Sequence, residues 1–571
     1  MKLKLTFIVF IVFVLQSKAQ NDKYQINGSA RSYLFANQLN IENSLDSITP
    51  KKSNYGHNLL DLGISVFPTK ESEVIGIFRL RNELGGFWGG GVVFDVRQLT
   101  FNGVAAKVVK YSIGDIDLQM TKYTLFNNDE EGALNEADVF SLRRDVMHYD
   151  YFYKNNSWRM QGAKIEFNLL PSTNLEKIKF KGFITRQRST DEQGRPERLF
   201  GGGNVKFIKS KNLFINLNTA NLFDLKKTSL IDSSYLFNNV TSSDFNYVIK
   251  SDSSFKFNLS GEGGFSINKY ENFDDLGSPI SMNDWFYDIS TTLNFTKKKL
   301  EFTIGFKDIG KDFSSPGAQT KRINFSKSSN IYQQFTNDYI GRTLTLSDII
   351  NGNSNNSVKI SPELMAYNVV YNNTNPYGDA TPNRRGIYFS FKDLDTGKVK
   401  GSHLDFRLLQ ESTGSGTLRK KVFILSQLGT RISLNEFFQL KKEFVFNLGY
   451  QNEITLRSGE DFEKIYLNSN FIDVGLSYEL VNHFSLVAGH KLWKANGNEF
   501  QEVRDPYNSI NDFENLSIDF TENITAFGVK YDFGNQNALT IQYQNFKIKD
   551  GGSNGVDYGI SDLIILFNLK F

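Results

Sequence analysis

Apolar and polar residues alternate with a period of two along most of the chain from residue 24 onward, and no stretch sustains a helical period. In EFVFNLGYQNEITLR, Phe444, Phe446, Leu448, Tyr450, Ile454 and Leu456 share one face, while Asn447, Gly449, Gln451, Glu453, Thr455 and Arg457 share the other. The same split occurs in SNFIDVGLSYEL, with Ile472, Val474, Leu476 and Leu480 against Asp473, Ser477 and Glu479. It recurs in YDISTTLNFT, where Tyr287, Ile289, Leu293 and Phe295 oppose Asp288, Ser290, Thr292 and Asn294, and in LEFTIGFK, NLFINLNT and SHLDFRLL. The last residues, LIILFNLKF, place Leu563, Ile565, Phe567, Leu569 and Phe571 on one side and Asp562, Asn568 and Lys570 on the other.

These segments are roughly nine to twelve residues long, the length that a tilted strand needs to cross a hydrocarbon core, whereas soluble sheets favour shorter strands. Short turn signals such as Lys297-Lys298-Lys299 and residues 532–538 alternate with longer polar links such as residues 494–515. The pattern predicts an all-β fold, a transmembrane antiparallel up-and-down β-barrel of about 18 strands (range roughly 16–20) with long polar loops. A secreted sandwich, β-helix or adhesin would also alternate, but with shorter strands and fewer aromatics. A closed barrel leaves no free edge, so the last strand is expected to pair with the first and turn its oily face to lipid.

Residues 1–19 read as a secretory signal peptide: Lys2 and Lys4 precede an apolar run from Leu5 to Leu15, and Ser17 and Ala19 suit cleavage before Gln20. Residues 20–571 are then one barrel. The chain has no cysteine, which excludes disulfides, thiolate metal sites and thiol nucleophiles. Lys+Arg of 65 against Asp+Glu of 62 gives no basis for nucleic acid as a partner. Aromatics at 14% beside a mean hydropathy of -0.36 exclude a helical membrane protein but suit a barrel with one oily and one wet face.

On the strength of Leu563, Ile565, Phe567, Leu569 and Phe571 and of the signal peptide, the chain resembles the outer-membrane β-barrel proteins of Gram-negative bacteria. That resemblance implies a location in the outer membrane, outer-membrane lipid as its surroundings, and a C-terminal strand read by the barrel-assembly machinery. The absence of Cys, the heavy use of Asn, Phe and Lys and a mature start at Gln look like the Bacteroidota. The resemblance selects no function.

Two stretches break the alternation, residues 126–157 and 309–386. Each is expected to be an external loop, an inward-folded plug or a docking surface. Candidate chemistry is sparse. Of the five histidines, His403 neighbours Ser402, but adjacent strand residues face opposite ways and cannot form a dyad. Asn127–Gly132 lacks the spaced oxygens of a Ca²⁺ loop, and residues 85–91 (GGFWGGG) lack the Lys and Ser/Thr of a phosphate loop. No cofactor, metal or enzymatic activity is expected. Charges on predicted inward faces are Arg79, Arg81, Asp95, Arg97, Asp115, Asp117, His403, Asp405 and Arg407, and such rows either line water-filled pores or neutralise one another in a blocked one. Two non-enzymatic functions follow. The two inserts and the excess length favour a membrane-embedded subunit of an export or barrel-assembly machine, in contact with other envelope proteins. The alternative is a porin-like diffusion channel for small solutes.

Overall fold

The computed structural model describes residues 23–41, 52–84, 92–126, 135–141, 158–171, 174–190, 196–228, 235–271, 280–319, 369–394, 397, 399–504, 510–534, 537–552 and 557–571. The expected signal peptide, residues 85–91 and Asn127–Gly132 lie outside them. The strands are β1 (Tyr24–Ile41), β2 (Lys52–Thr69), β3 (Ser72–Glu83), β4 (Val92–Ala105), β5 (Val109–Leu118), β6 (Trp158–Leu169), β7 (Lys177–Arg188), β8 (Arg198–Ser210), β9 (Leu213–Asp224), β10 (Tyr235–Ser251) and β11 (Lys256–Glu271). They continue as β12 (Ile280–Phe295), β13 (Leu300–Ile309), β14 (Arg384–Asp393), β15 (Val399–Gln410), β16 (Val422–Ser433), β17 (Phe444–Arg457), β18 (Ile465–Val481), β19 (Phe484–Arg504), β20 (Ile510–Gly534), β21 (Asn537–Asp550) and β22 (Tyr558–Lys570).

Each strand pairs antiparallel with its sequence neighbours, and β22 pairs with β1, so the sheet closes on itself. The expected up-and-down barrel is thus found, with 22 strands rather than about 18. Part of the shortfall lies in residues 494–515, expected as a loop: β19 runs to Arg504 and β20 starts at Ile510. Closure reaches the end of the chain, since Phe571 N–H donates to Gly28 O at 3.0 Å and Gly28 N–H donates to Phe571 O at 2.9 Å. Gly28 is required there, because a Cβ would sit 2.5 Å from the backbone carbonyl oxygen of Asp61 on β2.

The outward face follows the alternation read from the sequence. Leu563, Ile304, Leu476 and Phe527 are all exposed apolar residues on it. At the rim where the connections are short, aromatics meet across strands: Phe444 with Tyr478 at 5.4 Å, Phe295 with Phe302 at 5.9 Å, and Phe533 with Phe567 at 5.9 Å between ring centres. This is the girdle expected at a membrane–water interface. Toward the long-loop rim the outward face turns polar and bonds to itself. Asn452 donates to Asn468 (2.8 Å) and Asn470 (2.9 Å), and Asn239 donates to Asn221 (2.5 Å). The apolar belt therefore ends partway up, and the strands continue beyond it.

Candidate functional site: the barrel lumen

The described parts of both pattern-breaking stretches turn inward, so the third of the expected alternatives, an external docking surface, does not describe them. Residues 119–126 and 135–141 follow β5, and residues 310–319 and 369–383 lie between β13 and β14. Their apolar side chains form the interior clusters. Ala137, Val139, Phe140, Val370 and Tyr371 pack against Phe471, Val487, Trp493 and Phe520. Leu125 packs with Met160 and Phe200, and Tyr123 and Phe313 with Phe286. Polar wall residues anchor the same segments.

The short helical turn at residues 138–141 sits on β18 and β19. Gly475 and Gly489 are register partners on the inner wall, and a Cβ on Gly489 would lie 2.7 Å from Val139 and 2.8 Å from Phe140. Two facing glycines give the turn a seat that no other residue would leave open. Beside it the fully buried Lys491 ammonium pairs with Glu136 of the loop and, at 3.5 Å, with Asp473 of the wall. Arg431 grips Asp138 with two bonds of 2.6 and 3.2 Å.

Residues 370–374 are held along β14, β17, β19 and β20. Tyr371 donates its hydroxyl to Glu522 (2.5 Å), Trp493 Nε1 donates to Val370 O (2.9 Å), and the backbone N–H groups of Asn373 and Thr374 both donate to Glu453 Oε2 (3.0 Å each). Asn373 Nδ2 reaches Glu499 (2.6 Å), whose other oxygen takes Lys421 at 2.7 Å. Buried charges in such a network need these partners, since each unpaired one would be costly.

A third anchor centres on Asp379. Arg407 Nη1 lies 2.8 Å from it, Lys122 Nζ 3.0 Å and Lys307 Nζ 3.7 Å, while Arg407 also holds Asp405 at 3.0 Å. Burial opposes ionisation of Asp379, but Lys122, Arg407 and Lys307 outweigh it and hold the carboxyl well below the usual carboxylate range. A depressed carboxyl stabilises the docked loop fully above its ordinary value of 3.8 and loses that contribution only as pH falls through the lower folded value. The hold that Asp379 gives the loop should accordingly be unchanged between about pH 5 and 8, checked as the difference between wild type and Asp379→Asn in limited proteolysis of the folded barrel across that range. Asp379→Asn should loosen the loop at neutral pH in the same assay.

The charges expected in the lumen are distributed as follows. Arg79 donates to both oxygens of Asp61 (2.7 Å each), Arg97 lies 3.6 Å from Asp61, and Arg81 bonds Glu83 at 2.8 Å. Asp95 is the register partner of Arg79 and remains exposed. Asp115 accepts the Leu99 N–H at 2.7 Å, beside a positive-φ Gly114. Asp117 stands opposite Arg159 in the ladder and lines a crevice with Lys164 and Lys181. Asp405 and Arg407 meet on the inner wall. His403 Nε2 is 3.2 Å from Ser390 Oγ on the next strand, whereas Ser402 bonds Thr430 at 2.8 Å, so the neighbouring Ser-His residues do face apart. Among the described residues no carboxylate bonds His403 Nδ1, and the Ser390–His403 pair lacks the orienting group of a nucleophilic dyad.

The loop anchors were not foreseen, and neither was a lysine-rich arc. Lys164 on β6, Lys177, Lys179 and Lys181 on β7, and Lys206 on β8 share the inner face with Met160, Phe183 and Phe200. The spacing in EKIKFKGF, a lysine at every second position with Ile178 and Phe180 between, was the available signal. Next along the ladder, Asp244, Glu262 and Asp288 are consecutive register partners. These acids are engaged. Asn216 and Asn218 bond Asp244 (2.8 and 2.7 Å), Thr121 and Ser242 bond Glu262 (2.6 and 2.7 Å), and Tyr123 and Tyr388 bond Asp288 (2.8 and 2.7 Å). The loops bury the inner wall of β17–β22, whereas Lys181, Asn168 and Lys392 in the short-turn half of β6–β15 stay exposed to the lumen.

No protein-family model matches the sequence, and no curated protein matches it. Among solved structures the chain is similar to OccK9 (OpdG) of Pseudomonas aeruginosa, with 9% identity over 96% of this chain and 99% of that one at a TM-score of 0.35. It is similar to a BenF-like porin from Pseudomonas fluorescens Pf-5, with 10% identity over 96% and 99% of the two chains at 0.34. It is also similar to OpdQ of Pseudomonas aeruginosa, with 10% identity over 97% and 100% at 0.32. The Bacteroidota-like origin expected from composition finds no support in these structures. The expectation of an export or assembly subunit is also corrected. Its structural grounds go as well: the described residues of both inserts are used up inside the lumen, and additional strands absorb the excess length.

Proposed function

We propose that the chain is a non-enzymatic diffusion channel of porin type in the bacterial outer membrane, its bore narrowed by two loops folded in from the long-loop rim. The observation that carries this reading is the polar, water-facing inner wall of β6–β15, which lies beneath the docked loops and inside a belt of outward apolar residues. A barrel whose only task was to anchor other proteins would have no use for a hydrated wall. The short-turn rim then faces the periplasm and the long-loop rim the exterior.

The purified barrel in a planar bilayer should give discrete ohmic openings, and Asp379→Asn should raise or destabilise the conductance by loosening residues 378–380. Electrical silence of both proteins would dismiss the channel reading. The outward row Leu563, Ile565, Phe567, Leu569 and Phe571 is proposed as the signal to the barrel-assembly machinery as well as a lipid contact. Phe571→Lys should lower the amount of heat-modifiable barrel recovered from membranes, and undiminished recovery would remove that role.

A further inference from the structure

We infer that the inner wall of β6–β8 is a binding surface for small anionic solutes, those carrying a carboxylate or phosphate group, at the short-turn mouth of the lumen. The inference deepens the channel reading, and it depends on that reading only in that water must reach this wall.

Lys164, Lys177, Lys179, Lys181 and Lys206 face one glutamate of the same arc, Glu166. The contact is loose: Lys181 Nζ lies 3.9 Å from Glu166, with the lysine side chain 54% exposed. Lys206 lies over the Phe214 ring at 3.3 Å instead of on a carboxylate. Lys179 and Lys206 are direct register partners, and like charges placed opposite each other on neighbouring strands are destabilising. The adjacent acids relieve this only in part, because Asp244 is separated from Lys206 by Asn216 in the ladder, and Glu262 and Asp288 lie one and two strands farther round the wall. Structural neutralisation explains the arginines on Asp61 and Asp379, but the lysine arc carries more ammonium groups than the carboxylates beside it, Glu166 and Asp117, can balance. Flexible ammonium groups two residues apart on adjoining strands can close on a carboxylate or phosphate from several sides. They would also concentrate anions at the mouth, since a like-signed cleft focuses its field.

The absence of cysteine allows a direct test. Asn204 is the register partner of Lys181 and lies two residues from Lys206 on the same face. Asn204→Cys should react with an anionic methanethiosulfonate faster than with a cationic one by roughly tenfold or more, relative to free cysteine. The preference should shrink in about 1 M salt, where the screening length drops to about 3 Å. Adding Lys179→Glu and Lys206→Glu should reverse it, while Lys→Arg at both positions should keep it. Equal reactivity, insensitivity to the reversal, or a thiol that neither reagent reaches would overturn the inference. In bilayers the wild type should be anion-selective by reversal potential. A silent barrel that keeps the labelling preference would overturn the channel reading and leave the anion surface standing. A conducting barrel without that preference would do the opposite.

Discussion

Replacing Lys491 by methionine should release the loop turn at residues 135–141 from the wall. The substitution leaves Glu136 and Asp473 buried without their cation, a loss of about 3–5 kcal/mol where one partner of a buried ion pair is removed. The barrel need not bear this cost, because undocking returns Glu136 to water while β18 and β19 stay paired. The expected reading is therefore an open loop in an intact barrel. Val139→Cys, buried at the centre of the contact, reports it: its thiol should be protected in the parent and react at least about a hundredfold faster beside Lys491→Met. Protection that survives would mean that the two-glycine seat holds the turn without the charges. Combining Lys491→Met with Glu136→Gln and Asp473→Asn should restore most of the protection, since a neutral cluster carries no stranded charge.

Arginine at Leu476 is expected to destabilise the whole barrel by about 2–4 kcal/mol, the range for a cation at the bilayer midplane. Leu476 is exposed on the outward face, in the apolar belt between Ile472 and the girdle residue Tyr478, so the cost falls toward the low end of that range if the guanidinium reaches the interface. Its neighbour Ser477 points into the lumen, so Ser477→Arg is the matched control and should cost far less. Urea titration of the barrel in lipid vesicles measures both. Equal costs at the two positions would show that the outward face near Leu476 does not meet lipid.

The barrel was legible because lipid on one side and water on the other impose the simplest possible pattern on a strand. Over Tyr287–Phe295 in β12 and Phe444–Tyr450 in β17 that phase holds, and the faces agree with those expected from the sequence. β20 does not keep it. Its outward Phe527, Val529 and Tyr531 obey the rule, but farther on Phe520 and Ile524 face inward, where Tyr371 packs 5.7 Å from the Phe520 ring, and Thr521 and Asn523 face outward. The oily side changes over in mid-strand, because the loop makes the lumen dry just where the strand leaves the apolar belt. A reader following one phase sees a polar link and undercounts the strands.

The loop anchors were illegible for a different reason. Glu136 and Lys491, or Asp138 and Arg431, are hundreds of positions apart, and nothing local marks a buried charge as the partner of a distant one. Arg407 and Asp405 were found because they lie two residues apart on one face. Asp379, which completes their cluster, falls in a stretch whose sequence shows only turn signals.

The seam between Gly28 and Phe571 sets the order of assembly. Every other seam of the ring is formed between consecutive strands, so it can zip up as the chain collapses, at modest loop-closure cost. The β1–β22 seam joins the two extremities of the folded chain and must wait for all the rest. Until then the growing sheet presents two bare edges of unpaired backbone, which would recruit any other strand within reach. A catalyst that holds one edge while the other is brought round would suppress that misassembly. The slow step of maturation is then expected to be a single edge-to-edge docking event, and its rate should respond to changes along β1 and β22 far more than to changes at any hairpin.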